Sequence, residues 1–255
     1  MFLEARELTK TFGSFKAVDS ASIAVERGDV LGLIGPNGAG KSTFFNCLTG
    51  DLDVTSGRVL FEGQDITTLA PEARAERGLA RTFQVPQTFV GMSVLENVMI
   101  GAFLRTPRKT EAEARARAVL ERVGMGHLAE APARSLGTPG RKRLEIARAL
   151  ATEPKVLLLD EAMAGLTQRE VQLAIDLVRD IHGSGVTLVI VEHIMEVIMS
   201  LATRVLVFHQ GREIARGSPR EVTTNPDVIE AYLGKRAAKA AASHTPIELM
   251  GGPTP

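Results

Sequence analysis

Tryptophan is absent from the sequence, and tyrosine and cysteine occur once each. With so few large rings there is little from which to build an aromatic platform for stacked bases. An excess of one charge is lacking too, because 30 lysines and arginines balance 30 aspartates and glutamates. A neutral chain lacks the basic surplus of a general nucleic-acid binder. The single cysteine, Cys47, excludes an internal disulfide and suits a reducing compartment. Its setting, FFNCLTG, reads as a buried core thiol. No run reaches the ~20 apolar residues of a membrane span. The best stretch, VTLVIVEHIMEVIMSLATRVLVF, is interrupted by Glu192, His193, Glu196 and Arg204. The opening MFLEARELTK carries charges where the apolar part of a secretion signal would start. His127, His182, His209 and His244 show no metal-ligand spacing. Service to a membrane is therefore expected only through partners.

What is present is an alternating pattern. The 255 residues, 44% of them apolar, suit one α/β domain with room for a subdomain. Residues 2–34 read as strand-rich, with a turn at Gly28 and a short buried strand, DVLGLIG. GRVLFEGQDI reads as a hairpin piece, and VLLLD (156–160) and VTLVIVEH as further buried strands. From about Ser93 to Leu150 the period turns helical, with Thr110 and Glu113 as the expected capping box of EAEARARAVLERVGM. A second capping box, Thr167 with Glu170, opens a helix whose Val171, Ile175, Val178 and Ile181 share a face and which stops at Gly183. IMEVIMSLA follows as a helix, then a hairpin around Gln210 and Gly211. Strands alternating with helices predict a mostly parallel sheet with helices on both faces. The tail RAAKAAASHTPIELMGGPTP lacks any core pattern and is expected to be disordered over 235–255, apart from a weak helix at 235–242.

Chemistry concentrates in a few places. Gly35-Pro36-Asn37-Gly38-Ala39-Gly40-Lys41-Ser42, followed by Thr43, fits G-x-x-x-x-G-K-[ST] between a strand and a helix. Glycines let several N–H groups converge on phosphate oxygens, and the helix points its positive end at the same spot. Lys41 supplies a mobile cation, and the Ser42 hydroxyl can ligate Mg²⁺. In LLLDE an apolar strand delivers Asp160 and Glu161 to the carboxyl edge of the sheet. Asp160 is suited to hold Mg²⁺, and Glu161 to activate an attacking water. His193 ends another strand, where a phosphate contact competes with a structural role. Gln84 in RTFQVPQ offers an amide to Mg²⁺ or water, or is simply a loop glutamine. Phe12 can stack on a base, although core packing is the plainer reading.

GPNGAGKST, Gln84, LGTPGRKRLEIARAL, LLLDE, AGLT and His193 come in the order of the ABC-transporter ATPase subunit, which residues 3–234 resemble. GLARTFQ, RKRLEIARAL, EVIMSLATRV and IEAYLG are similar to the branched-chain amino-acid importer ATPase subfamily, with relatives in urea or amide uptake and lipopolysaccharide export. The resemblance implies an α/β P-loop NTPase core with an N-terminal antiparallel β subdomain and an inserted α-helical subdomain, about 88–150, within an ATPase domain of 1–234. It implies binding and hydrolysis of ATP with Mg²⁺ at the cytoplasmic face of the membrane. It also implies partners: two transmembrane permeases and a second ATP-binding subunit paired head to tail. Phe12 becomes the adenine-stacking aromatic, and Gln84 the Mg²⁺-sensing residue that couples to the permeases. Glu161 becomes the general base and His193 the γ-phosphate contact, and the helical subdomain docks a permease helix.

Several residues depart from the family. Its signature, L-S-G-G-Q, serves the partner's ATP and here reads Leu136-Gly137-Thr138-Pro139-Gly140. Proline fits the first turn of a helix but removes an N–H donor. Ala162, Thr167 and Ile194 also replace the family's usual residues. The phosphate loop and acids are thus intact while the signature is altered. That favours a heterodimer with one competent and one weak site, or a mainly regulatory nucleotide-binding subunit. A non-transport ABC ATPase is disfavoured, because such relatives carry coiled-coil insertions or two fused ATPase domains.

Overall fold

A computed structural model describes residues 1–233, so the tail expected over 235–255 lies outside the described residues. The chain opens with a hairpin of β1 (Leu3–Phe12) and β2 (Phe15–Val25), then β3 (Val30–Ile34) and α1 (Lys41–Thr49). Next come β4 (Ser56–Phe61), β5 (Gln64–Asp65), α2 (Pro71–Arg77) and β6 (Leu79–Arg81). The helical stretch holds α3 (Val94–Ala102), α4 (Lys109–Arg122), two 3-10 turns and α5 (Thr138–Leu150). The remainder alternates: β7 (Val156–Asp160), α6 (Gln168–Gly183), β8 (Thr187–Val191), α7 (Met195–Leu201) and β9 (Arg204–His209). It closes with β10 (Arg212–Gly217), α8 (Pro219–Thr224) and α9 (Pro226–Leu233).

Two sheets organise these elements. An antiparallel sheet has the order β2-β1-β4-β5. The second has the order β10-β9-β3-β8-β7-β6 and is parallel from β9 to β6, with β10 antiparallel at the edge. Strands β3, β7 and β8 are buried along their whole length, as parallel strands covered on both faces must be. Alternation sorts the two faces. Leu31, Leu33, Leu158 and Val189 pack with Phe44 and Phe45 of α1 and Phe61 of β4, while Val30, Leu157, Leu159 and Leu188 pack against α5 and α6. Burying a side chain of this size is worth about 1.5–3 kcal/mol, which makes the two faces the main source of stability.

Local signals explain most helix boundaries. Thr167 and Glu170 form the expected reciprocal cap, and the α6 stripe is buried as predicted. Ser93 with Glu96 and Ser218 with Glu221 make two more capping boxes. The box expected at Thr110 and Glu113 does not form, because α4 starts at Lys109. Thr106 wins the competition: its hydroxyl accepts the Arg108 N–H (3.2 Å) and donates to Glu111 (2.8 Å). That turns the chain before Thr110 is reached, and Glu113 instead accepts from Arg117 one turn on (2.8 Å). The α1 C-terminus is held by Arg74, 2% exposed, whose guanidinium donates to the carbonyls of Cys47, Leu48, Leu69 and Thr67. Those bonds satisfy carbonyls that a helix end leaves open. Cys47 is fully buried, and burial pushes its thiol up to about 11.

Candidate nucleotide-binding site

Strand β3 delivers the chain into residues 35–40, where two glycines are required by space. Gly35 (φ 151°) and Gly40 (φ 97°) take positive φ, and a Cβ would lie 2.2 Å from the Phe208 carbonyl oxygen or 2.3 Å from that of Ala17. Only glycine fits there. Gly40 is the N-cap of α1, so the first N–H groups of that helix open onto the loop. Lys41 is 7% exposed, and its Nζ donates to the carbonyls of Gly35 (2.7 Å) and Pro36 (3.1 Å). Burial lowers the Lys41 pKa, and the carboxylates of Glu161 and Asp160 oppose that shift. A cation is thus held beside the open N-terminus of α1, an arrangement that suits a polyphosphate.

The loop forms one wall of a cleft of about 620 Å³ lined also by Phe15, Gln84, Glu161 and His193. Gln84, Glu161 and His193 come from three separate parts of the chain. The Glu161 carboxylate accepts from Gln84 Nε2 at 2.8 Å, and its Oε2 lies 4.0 Å from His193 Nδ1. Glu161 adopts φ 45°, a left-handed backbone that costs a non-glycine residue of order 1 kcal/mol. Its N–H donates to the Val191 carbonyl (2.9 Å), and its own carbonyl accepts from Lys142 Nζ (2.8 Å). The strained backbone is therefore pinned from both sides.

Asp160 ends β7 and is 3% exposed. Its Oδ2 accepts from Arg81 at 3.2 Å, whereas Oδ1 is buried with no hydrogen-bond partner among the described residues. Burial raises the Asp160 pKa, Arg81 opposes it, and Glu161 adds to it. A cavity of about 310 Å³ joins Asp160 with Ser42, Gln84, Asn46 and Asp51. An unpartnered carboxylate oxygen on a residue that shares a cavity with a hydroxyl and a side-chain amide offers a hard, all-oxygen donor set that fits Mg²⁺. Among the described residues no group of three or more His, Cys, Asp or Glu could hold a metal ion, and a Mg²⁺ shared with phosphates and water needs no such cluster.

Phe12 is half exposed and does not line the cleft; Lys10 Nζ stands 5.1 Å from its ring centroid. The lining aromatic is Phe15, the cross-strand partner of Phe12 across the Gly13 turn. The Leu136–Gly140 stretch likewise lies apart from this cleft. Gly137 is the extended N-cap of α5 (φ −69°, ψ 174°), and Pro139 falls in its first turn. Pro139 thus disturbs no helical bond, as the position predicts, but it contributes no donor to the exposed end. One turn further, Lys142 is buried and bonded to Glu161, and burial lowers its pKa against the pull of Glu192. Glu192 is 1% exposed and accepts from the Met163 N–H at 2.9 Å. Neither Lys142, Glu192, Phe15 nor Arg81 stands out in the sequence. The only signal was a charged residue inside an apolar context, such as Arg81 closing LAR or Glu192 following VTLVIV.

A third cavity, about 340 Å³, is largely apolar. Pro71, Ala75, Leu79, Phe83, Ile100 and Leu104 line it between α2, β6 and α3. Val85, Phe89, Val90, Met92, Ile100 and Phe103, in the same 85–103 stretch, are exposed.

Known proteins resemble this chain in sequence and in fold. The family model described as ABC transporter matches residues 18–164, and that described as branched-chain amino acid ATP-binding cassette transporter matches residues 212–238. The high-affinity branched-chain amino acid transport ATP-binding protein LivG of Escherichia coli (strain K12) is 37% identical over 249 residues, covering 91% of this chain and 98% of its own length. The corresponding protein BraF of Pseudomonas aeruginosa gives the same identity and coverage. Among solved structures, a nucleotide-free ATP-binding cassette from an ABC transporter superposes with a TM-score of 0.85 at 35% identity, covering 92% of this chain and 99% of that one. An ADP-bound cassette of an ABC transporter gives a TM-score of 0.83 at 35% identity, with the same coverage.

Proposed function

Because the chain belongs to the ABC transporter family and is an ATP-binding, ATP-hydrolysing subunit, we propose that it powers uptake of branched-chain amino acids. The observation that carries this reading is the C-terminal match at 212–238, added to a cleft that gathers the phosphate loop, Gln84, Glu161 and His193. The working division is an ATPase domain over 1–234 with a helical subdomain at about 88–150.

In this reading the phosphate loop and Lys41 hold the β- and γ-phosphates, and the Phe12–Phe15 hairpin end meets the adenine. Ser42, Asp160 and Gln84 would hold Mg²⁺, which when bound neutralises charge on the phosphates. Glu161 takes the proton of the attacking water, and His193 contacts the γ-phosphate. The 2.8 Å bond between Gln84 and Glu161 links the base to the residue that follows Phe83, which lines the apolar groove. That groove takes a helix of a permease, a binding mode suited to an amphipathic segment. Among the described residues no helix is long and apolar enough to cross a membrane, so the membrane is engaged through the permeases.

Leu136, Gly137, Thr138, Pro139 and Gly140 face the nucleotide of a second ATP-binding subunit in a head-to-tail pair. With Pro139 and Gly137 in place, this chain lacks a backbone N–H and a serine hydroxyl that the family's signature offers that nucleotide. The altered loop favours a heterodimer with one fast and one slow site over a homodimer. A mainly regulatory role is the second reading, and the same altered loop motivates it.

Glu161→Gln in the assembled transporter is the primary test. Hydrolysis should fall by about 10²-fold or more, with ATP retained in a stable pair detectable by light scattering. Normal turnover would remove Glu161 as the base. Uptake of labelled leucine by cells should fail with the same variant. Failure of urea uptake in place of leucine uptake would reassign the cargo.

A further inference from the structure

Arg81 closes β6, three residues before Gln84, and the hydrolysis described above does not use it. Its side chain is 11% exposed, yet it touches three parts of the fold. Nη1 donates to Asn46 Oδ1 (2.7 Å), Thr49 Oγ1 (3.2 Å) and Asp51 Oδ2 (2.8 Å), on and just after α1. Nη2 donates to Asp160 Oδ2 (3.2 Å) at the end of β7, and Nε to the Thr82 carbonyl (3.1 Å). The guanidinium carbon lies 4.4 Å from the centroid of the Phe83 ring. A planar fork with several fixed donors makes such a junction possible, and an ammonium cannot reproduce it.

The junction has a cost and an effect. Burying two opposite charges this deeply is weak evidence for stability, since desolvation offsets their attraction. Orientation is the clearer gain. With Oδ2 of Asp160 held, the carboxylate is fixed in orientation, and Oδ1 is left without a partner on a residue that lines the same cavity as Ser42 and Gln84. Through Asn46, the same guanidinium fixes β7 relative to α1, the helix that carries Ser42. Arg81 also lines both the 310 Å³ cavity at Asp160 and the apolar groove.

We propose that Arg81 is a positioning residue that presents the free oxygen of Asp160 to the metal accompanying ATP and holds it in register with Ser42. The proposal rests on reading Asp160 as a Mg²⁺ ligand. Such an outer partner governs metal affinity without touching the metal.

The test measures binding of a fluorescent ATP analogue to the full chain in excess Mg²⁺ and again in EDTA. Arg81→Gln should lose about tenfold or more of the Mg²⁺-dependent gain in affinity, with the EDTA affinity unchanged. A wild-type Mg²⁺ gain in Arg81→Gln overturns the proposal. If Arg81→Gln does not fold, Arg81→Lys serves, because it keeps the charge but not the fork. A reduced gain in that variant supports positioning, and a full gain overturns it. Asp160→Asn separates the two levels: a full Mg²⁺ gain in that variant means that Asp160 is not a ligand, and the underlying reading fails instead.

Discussion

Two helices of this chain start at glycine-containing loops, and the two starts are built in opposite ways. At α1 the N-cap Gly40 is left-handed and wedged against the Ala17 carbonyl, and the next residue, Lys41, is buried. At α5 the N-cap Gly137 is extended, and the nearest atom to a Cβ placed there is Pro139 Cδ at 3.8 Å. The first is shaped by its own chain on every side. The second is open and carries a proline where a donor could be. In the proposed head-to-tail pair the first start holds this chain's own nucleotide and the second meets the partner's, and only the first is locked by packing within the chain.

The sharpest way to break this contrast is to add one methyl group to each cap. Gly40→Ala should weaken ADP binding by about a hundredfold, since left-handed strain alone costs of order 1–3 kcal/mol and the Cβ would lie within 2.3 Å of a backbone oxygen. Gly137→Ala should stay within about twofold, because its φ of −69° suits any residue. Calorimetric titration of both variants decides the matter, and equal losses would end the distinction. A smaller effect is expected from Pro139→Gly, which returns a donor to the open cap. Hydrolysis by the assembled transporter should rise by about threefold to tenfold, short of the 10²-fold that a full oxyanion donor can give. Unchanged turnover would mean that the loop does not limit the partner's site.

The smallest effect concerns the base of α5. Burial raises the pKa of Glu192, which lies near Lys142. Because the folded-state value is above the unfolded one, its charge costs stability at pH values above the folded pKa, and the cost fades as pH falls through it. Glu192→Gln keeps an acceptor for the Met163 N–H and removes the charge. It should melt about 2 °C above wild type at pH 8, with the gap narrowing at pH 5. A constant gap would place the effect in packing.

The same contrast explains what could be read from the sequence. The phosphate loop is legible because its chemistry is local: glycines, lysine and serine act within eight positions of one another. Asp160 and Glu161 are legible because a buried strand advertises where it ends. Arg81 escapes notice because its partner Asp160 lies 79 positions away. Lys142 escapes for the same reason, as it bonds a carbonyl 19 positions on, which no side-chain pattern reports. The Thr110 box failed on a local ambiguity, since Thr106 offers an equivalent hydroxyl one turn earlier. Phe12 and Phe15 face the same ambiguity across a tight turn, where a shift of three positions separates lining the cleft from lying beside it.

Lys142 gives the open end of α5 a further consequence. It lies four residues, about 6 Å of helical rise, beyond Thr138, and it grips the Glu161 carbonyl at 2.8 Å. In the proposed pair, Thr138 meets one nucleotide and Glu161 acts on the other. A single turn of helix then separates the two contacts, so a shift at the start of α5 has a short route, through that turn and the Lys142 hydrogen bond, to the backbone of Glu161.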